Sequence, residues 1–288
     1  KQAAAAVGQA LLMTCYRDAL QPYRHQPAQI LLTHADLADR GRYLQACQTL
    51  RHLLGHGLLP IINENDSISD DELRVGDNDR LAVEVACMLE AEKLVLMTTH
   101  DGVFDRDPGK HPDAVQLRKL PIIDDSRIAA TAGRSSIGTG GMRSKLEQAR
   151  RAQERGIPVT IASGRDHANW TALAAGQSIG TEIPAAKRAR SARQAWIAET
   201  LRPRATLAVD GGCAEALRMR GASLLAPGIV QSSAGYRRGD CVTVVEGVGG
   251  HPIARGLVRL DKDQVDKALS AGVSGRIVIH RDDLVRTD

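Results

Sequence analysis

The run Leu58-Leu59-Pro60-Ile61-Ile62, followed at once by Asn63-Glu64-Asn65-Asp66, decides how this chain is read. An apolar run this short, closed by a polar cluster, predicts a buried strand that ends in a loop. Just before it, Tyr43, Leu44, Cys47, Leu50, Leu53 and Leu54 fall on one face at helical spacing, and Gln29–Leu32 is a further short apolar run. The order is strand, helix, strand. Beyond the run, the pattern predicts a helix near Asp79–Glu90, a strand over Lys93–Met97, a helix over Met142–Arg155, a strand over Pro158–Ala162 and a short helix over His167–Ala174. Such alternation predicts a parallel sheet covered by helices. At the start, Val7, Leu11, Leu12 and Cys15 repeat at helical spacing behind a run of alanines, so the chain opens inside a helix reaching about Leu20.

After Gly180 the character changes. A basic stretch, Lys187–Arg193, reads as a solvated linker or as a nucleic-acid contact. Closely spaced strand-like runs broken by glycine then follow, over Thr206–Val209, Cys241–Val245, Ile253–Val258 and Arg276–Ile279. This pattern predicts a small β-rich second domain, with Gly221, Gly228 and Gly239 in turns and Arg237-Arg238 on a solvated edge.

The 288 residues suffice for one large or two ordinary domains, and 43% hydrophobic with 25% charged residues is globular usage. Aromatic residues make up only 2%, so base-stacking platforms are scarce. A net charge of +4, from 38 basic against 34 acidic residues, suits phosphate without requiring a polyanionic partner. The five cysteines have no metal or CxxC spacing and are read as reduced core thiols. No apolar run is long enough to span a bilayer and the N-terminus has no secretory pattern, which predicts a cytoplasmic protein.

In an open α/β sheet, ligands bind beyond the carboxyl ends of the strands, so polar loops after strands are candidate sites. Asn63-Glu64-Asn65-Asp66 and Gly76-Asp77-Asn78-Asp79 offer carboxylates and amides that suit a small zwitterion, although either cluster taken alone reads first as a long turn with a helix cap. Gly138-Thr139-Gly140-Gly141-Met142-Arg143-Ser144-Lys145 enters a helix, where backbone N–H groups and the dipole favour phosphate and Lys145 adds a positive charge. It is not a Walker motif, and it reads equally as a plain loop. The segment Thr98-Thr99-His100-Asp101-Gly102-Val103-Phe104, followed by Asp105-Arg106-Asp107-Pro108, reads as a turn or hairpin. No histidine spacing fits a metal and no GxSxG elbow is present.

Taken in order, PIINEND, VGDND, a strand ending in Thr98 with a following GVFDRDP segment, and GTGGMRSK resemble the glutamate 5-kinase branch of the amino acid kinase family. ATLAVDGG, GASLLAPGI, YRRGD and VIHRDDL extend the resemblance into that branch's C-terminal PUA domain. The resemblance implies an α/β parallel-sheet three-layer sandwich over 1–184, a linker over 185–204 and a PUA-like domain over 205–288.

It also implies ATP-dependent phosphorylation of the side-chain carboxylate of L-glutamate, the first step of proline biosynthesis, with Mg²⁺ as cofactor. Lys145 matches the lysine that contacts the transferring phosphate, and Asp79 the acid that orients it. Asp66 and Asn78 match glutamate-holding positions, with Asn63 and Asp77 as supports. Thr98, Thr99 and the run Thr139, Gly140, Gly141, Met142, Arg143, Ser144 and Lys145 match nucleotide-contacting segments.

A homo-oligomer and a glutamyl phosphate reductase partner are family expectations. The family's opening Lys-x-Gly-Ser-like phosphate loop and Ser-Gly-Ala loop are absent, so the chain is expected to lack the N-terminal strands. Thr99 and Arg80 also depart from the family pattern. The alternatives are a sister kinase with another acceptor, and an inert RNA-binding protein using the PUA-like domain.

Overall fold

The computed structural model describes every residue except 1, 69–76, 131–140, 188–190, 234, 273–274 and 288. Along the chain the elements begin α1 (Gln2–Leu20), β1 (Pro27–Leu32), α2 (His34–Ala38), α3 (Arg40–Gly55), β2 (Leu59–Glu64), α4 (Asp77–Met88) and β3 (Leu94–Thr98). They continue α5 (Asp125–Ala130), α6 (Met142–Glu154), β4 (Val159–Ser163), α7 (His167–Ala174), β5 (Thr181–Ile183) and α8 (Ala192–Ala195). The last part holds β6 (Ala205–Val209), α9 (Gly211–Arg220), β7 (Leu224–Leu225), β8 (Ile229–Ser232), β9 (Cys241–Glu246), β10 (Pro252–Leu257), α10 (Lys262–Ser270), β11 (Ile277–Ile279) and β12 (Leu284–Arg286).

The chain forms two compact units, one of Lys1–His34 with Gln45–Arg190, the other of Ala35–Leu44 with Ser191–Asp288. In the first unit, β1 pairs with β2 in parallel from Pro27↔Leu59 to Leu32↔Glu64, and β3 pairs with β4 in parallel from Leu94↔Val159 to Thr98↔Ser163. Among the described residues these pairs form separate ladders, and α4 packs on both β2 and β3. The predicted parallel, helix-covered arrangement is present, with one addition: β5 runs antiparallel to β4. Three residues are too few to show a period, so this edge strand was invisible in the sequence.

All five residues of β4 are buried, the polar Thr160 and Ser163 included, as suits a strand covered on both faces. In α3, Leu50 is fully buried as its pattern predicts. Helix α1 spans Gln2–Leu20 as expected, but its surroundings correct the reading of Cys15. Its larger apolar residues Val7 and Leu11 are 66% and 64% exposed, and Cys15 is exposed rather than a core thiol. Small Ala5 and Gly8, with Gln9, instead line a cavity beside β1 and β2.

In the second unit a five-stranded sheet has the order β12-β10-β9-β6-β8, and only β6–β9 is parallel within it. Leu207, Leu217, Leu224, Val244, Val265 and Ile279 meet in its core. Two helices not singled out by the sequence reading cover it. Asp210 caps α9 by accepting from Cys213 N–H at 2.7 Å, and Gly221 closes it at φ +55°, a left-handed position that suits glycine. Asp261 and Gln264 form a capping box on α10.

The stretch expected as a linker carries, from Ala192, a helical turn with Trp196 and Ile197 buried. Trp196 stacks on Tyr43 with ring centroids 4.2 Å apart and donates to Leu37 O, so the second unit recruits the short segment around α2. Arg193, read as solvated, pairs with nearly buried Asp283 at 2.7 Å. Burial pushes the Cys213 and Cys241 thiols up to about 11.

Candidate active site

Strand β2 delivers its polar end into a cavity of about 210 Å³ lined by Gln9, Asn63, Glu64, Asn65 and Asp66 together with small residues of α1. The cavity's polar side is held in place by three bonds. Asn63 Nδ2 donates to Gln9 Oε1 at 3.0 Å, Asn65 N–H donates to Leu32 O at 2.9 Å, and Glu64 N–H donates to Asn78 Oδ1 at 3.4 Å. The last bond ties the end of β2 to the first turn of α4. Gln9 Nε2 is buried and has no acceptor among the described residues, a donor that a carboxylate would satisfy. Asp66 supplies the anionic acceptor that an ammonium group requires. The sequence reading missed Gln9. Its only local signal is a polar side chain among the small residues of a helix that has no buried residue of its own.

One residue beyond Asn78, Asp79 faces α6. Lys145 Nζ donates to both carboxylate oxygens of Asp79, at 2.8 and 3.0 Å, and the two side chains are 13% and 16% exposed. The pair is shielded enough to strengthen its attraction yet still reachable by solvent. Lys145 can sit there because α6 begins at Met142 and places it on the helix's first turn, with its N–H donating to Gly141 O at 3.3 Å. Gly141 holds the N-cap position in extended backbone, at φ −74° and ψ 169°, and brings no side chain to cap the helix. Backbone donors at such a helix start favour an anion.

The first turn of α4 thus joins two clusters the sequence had left separate, through Asn78 to the cavity and through Asp79 to Lys145. Other candidates stand apart from this junction. Arg143 pairs with Glu147 on the exposed side of α6 at 3.0 Å. Met142 and Ser144 occupy the first turn. Thr98 ends β3, where its carbonyl accepts from Gly164 N–H at 2.9 Å, and Thr99 Oγ1 lies 3.3 Å from His100 Nδ1. Asp77 opens α4 but its side chain lies outside the described residues, as do Thr139 and Gly140. Arg80, the departure within α4, is partly buried, and its Nε has no hydrogen-bond partner among the described residues.

Residues 1–163 match the model of the amino acid kinase family. The chain belongs to that family. Residues 205–278 match the PUA domain model, which agrees with the β-rich second unit. The chain is 42% identical over 301 residues to a glutamate 5-kinase of Geobacter sulfurreducens, covering 99% of this chain and 79% of the relative. It is likewise 42% identical over 296 residues to a glutamate 5-kinase of Chromobacterium violaceum, with 99% and 79% covered. Among the described residues, no helix is long and apolar enough to cross a membrane, and no three His, Cys, Asp or Glu side chains come together in a way that could hold a metal ion.

Proposed function

We propose that this kinase transfers the γ-phosphoryl group of ATP to the side-chain carboxylate of L-glutamate, with 1–184 as the catalytic region and 205–288 as the PUA region. The full-length likeness to glutamate 5-kinases carries the reading. The Lys145–Asp79 junction is the geometry that agrees with it. A glutamate carboxylate is already ionised at neutral pH, so its oxygen can attack phosphorus without a general base. The new P–O bond forms as the bond to the ADP oxygen breaks, and ADP leaves with that electron pair. The protein's task is alignment and positive charge around the transferring group.

In this reading Lys145 supplies the charge, and Asp79 holds its ammonium in position until phosphate oxygens compete for it. Asp66 takes the ammonium of glutamate, while Gln9 and Asn78 orient its polar groups. Asn63 and Asp77 support that cluster. Thr98, Thr99 and the run from Thr139 to Ser144 take the nucleotide, with backbone N–H groups at the start of α6 on its phosphates. Mg²⁺ would enter with the nucleotide and needs few protein ligands of its own. When bound it neutralises phosphate charge.

The acyl phosphate product is labile, so a reductase that consumes it is the expected partner, in the cytoplasm, and the kinase is expected to self-associate. The test is glutamate-dependent ADP formation with hydroxylamine trapping of the acyl phosphate, run beside aspartate and acetylglutamate. Hydroxamate from glutamate alone is the expected outcome. Turnover only with another acid would reassign the substrate, and salt-sensitive RNA association without nucleotide binding would replace the kinase reading.

A further inference from the structure

The second unit carries an open cavity of about 900 Å³, lined by none of the residues assigned above to the kinase reaction. Its size is that of a small-molecule site. Four arginines line it, Arg40, Arg202, Arg204 and Arg237, against two aspartates, Asp39 and Asp240. The aspartates are largely committed. Asp39 Oδ1 accepts from Arg42 N–H at 3.0 Å and so caps α3, while its Oδ2 accepts from Arg204 at 3.2 Å. Asp240 accepts from Arg237 N–H at 2.8 Å and lies 3.9 Å from the Arg204 guanidinium. Arg204 is therefore the arginine that the acids occupy.

The guanidinium groups of Arg40, Arg202 and Arg237 have no ion-pair partner among the described residues. Arg40 Nε is buried and has no hydrogen-bond acceptor among the described residues. Its position is built in by Gly239, which stands at φ +90° and lacks the Cβ that would come within 2.9 Å of Arg40 Cζ. A buried N–H of a planar cation without an acceptor is costly to maintain, and it is satisfied by an oxyanion brought from outside.

We infer that this cavity binds a small, multiply charged oxyanion, phosphoryl or carboxylate, through Arg40, Arg202 and Arg237. Guanidinium forks suit both groups, since each presents adjacent oxygens for paired N–H donors. A concave site favours a small ligand over an RNA strand. None of the described lining residues is aromatic, so bases would find no stacking surface. The inference is independent of the kinase reaction, because none of its residues belongs to the Lys145–Asp79 junction.

The test is calorimetric titration of the full chain with inorganic pyrophosphate and, separately, with citrate, in magnesium-free buffer. At least one anion binds, and Arg237→Gln and Arg40→Gln each weaken it tenfold or more, while Lys145→Met leaves it unchanged. Pyrophosphate alone would identify a phosphoryl ligand and citrate alone a carboxylate. Arg237 is exposed, so its substitution remains informative if Arg40→Gln loosens the fold. Three results overturn the inference: no binding of either anion, binding lost with Lys145→Met but kept in the arginine variants, or RNA association that the arginine variants abolish without any anion binding.

Discussion

Helices α4 and α6 are tied together twice, and the two ties differ in kind. Lys145 and Asp79 meet near the N-terminal ends of both helices, with side chains 13% and 16% exposed. Arg155, just past the end of α6, meets Glu84 of α4 at 3.1 Å through Nη1, with side chains only 3% and 6% exposed; the same Nη1 donates to Cys87 Sγ, and Nη2 donates to Glu84 Oε1. Both pairs have opposite charges and bonding distances. Only the first stands at a glycine-capped helix start, where a phosphate could take the place of the carboxylate. The second is sealed, so its charges have no alternative partner in water. An ion pair that serves chemistry must be exchangeable, whereas one that sets helix packing must not be.

The largest expected effect follows from breaking the sealed pair. Glu84→Gln removes the carboxylate that faces a buried guanidinium and is expected to cost about 3–5 kcal/mol. Chemical denaturation would measure this, with turnover per folded molecule unchanged. Equal losses of turnover and stability would erase the distinction between the two pairs.

Opening the exchangeable pair should do the reverse. Lys145→Met is expected to lower kcat by about 10²–10³, the scale for losing one preorganised charge at a reacting group. Steady-state ADP release measures it, and a stability loss as large as that of Glu84→Gln would mark Lys145 as structural. On the cavity side of α4, Asp66→Asn should raise KM for glutamate by about 10-fold or more, the size of one charge-assisted hydrogen bond. An unchanged KM with reduced kcat would move Asp66 out of substrate binding. The smallest effect is expected at Arg143→Gln, which removes an exposed i,i+4 pair with Glu147 worth about 0.3–0.5 kcal/mol. A loss of nucleotide affinity in that variant would bring Arg143 into the site as well.

Much of this was legible from local pattern. The short apolar runs became β1, β2, β3 and β4, shifted by a residue or two, and α7 spans His167–Ala174 as its pattern predicts. The glycine-rich run does lead into α6, with Lys145 in the first turn. What failed had physical reasons. The stripe on α1 has helical period but lies exposed, because period reports a face and not what covers it. Helices α9 and α10 hid in a glycine-broken region whose strands dominated the reading, although Asp210 and Asp261 were cap signals in view.

By itself the sequence determined the alternation of strands and helices, the polar loops at strand ends, and the change to a β-rich second part, since each depends on residues within a few positions of one another. Only the tertiary structure decided that Lys145 and Asp79, 66 positions apart, share a bidentate contact, and that Gln9 joins Asn63 across 54. It also decided that Tyr43 and Leu37 pack with Trp196 in the second unit. Such pairings depend on how helices and strands stack around a core. That stacking follows from the burial and side-chain shape of many residues at once, which no local period encodes.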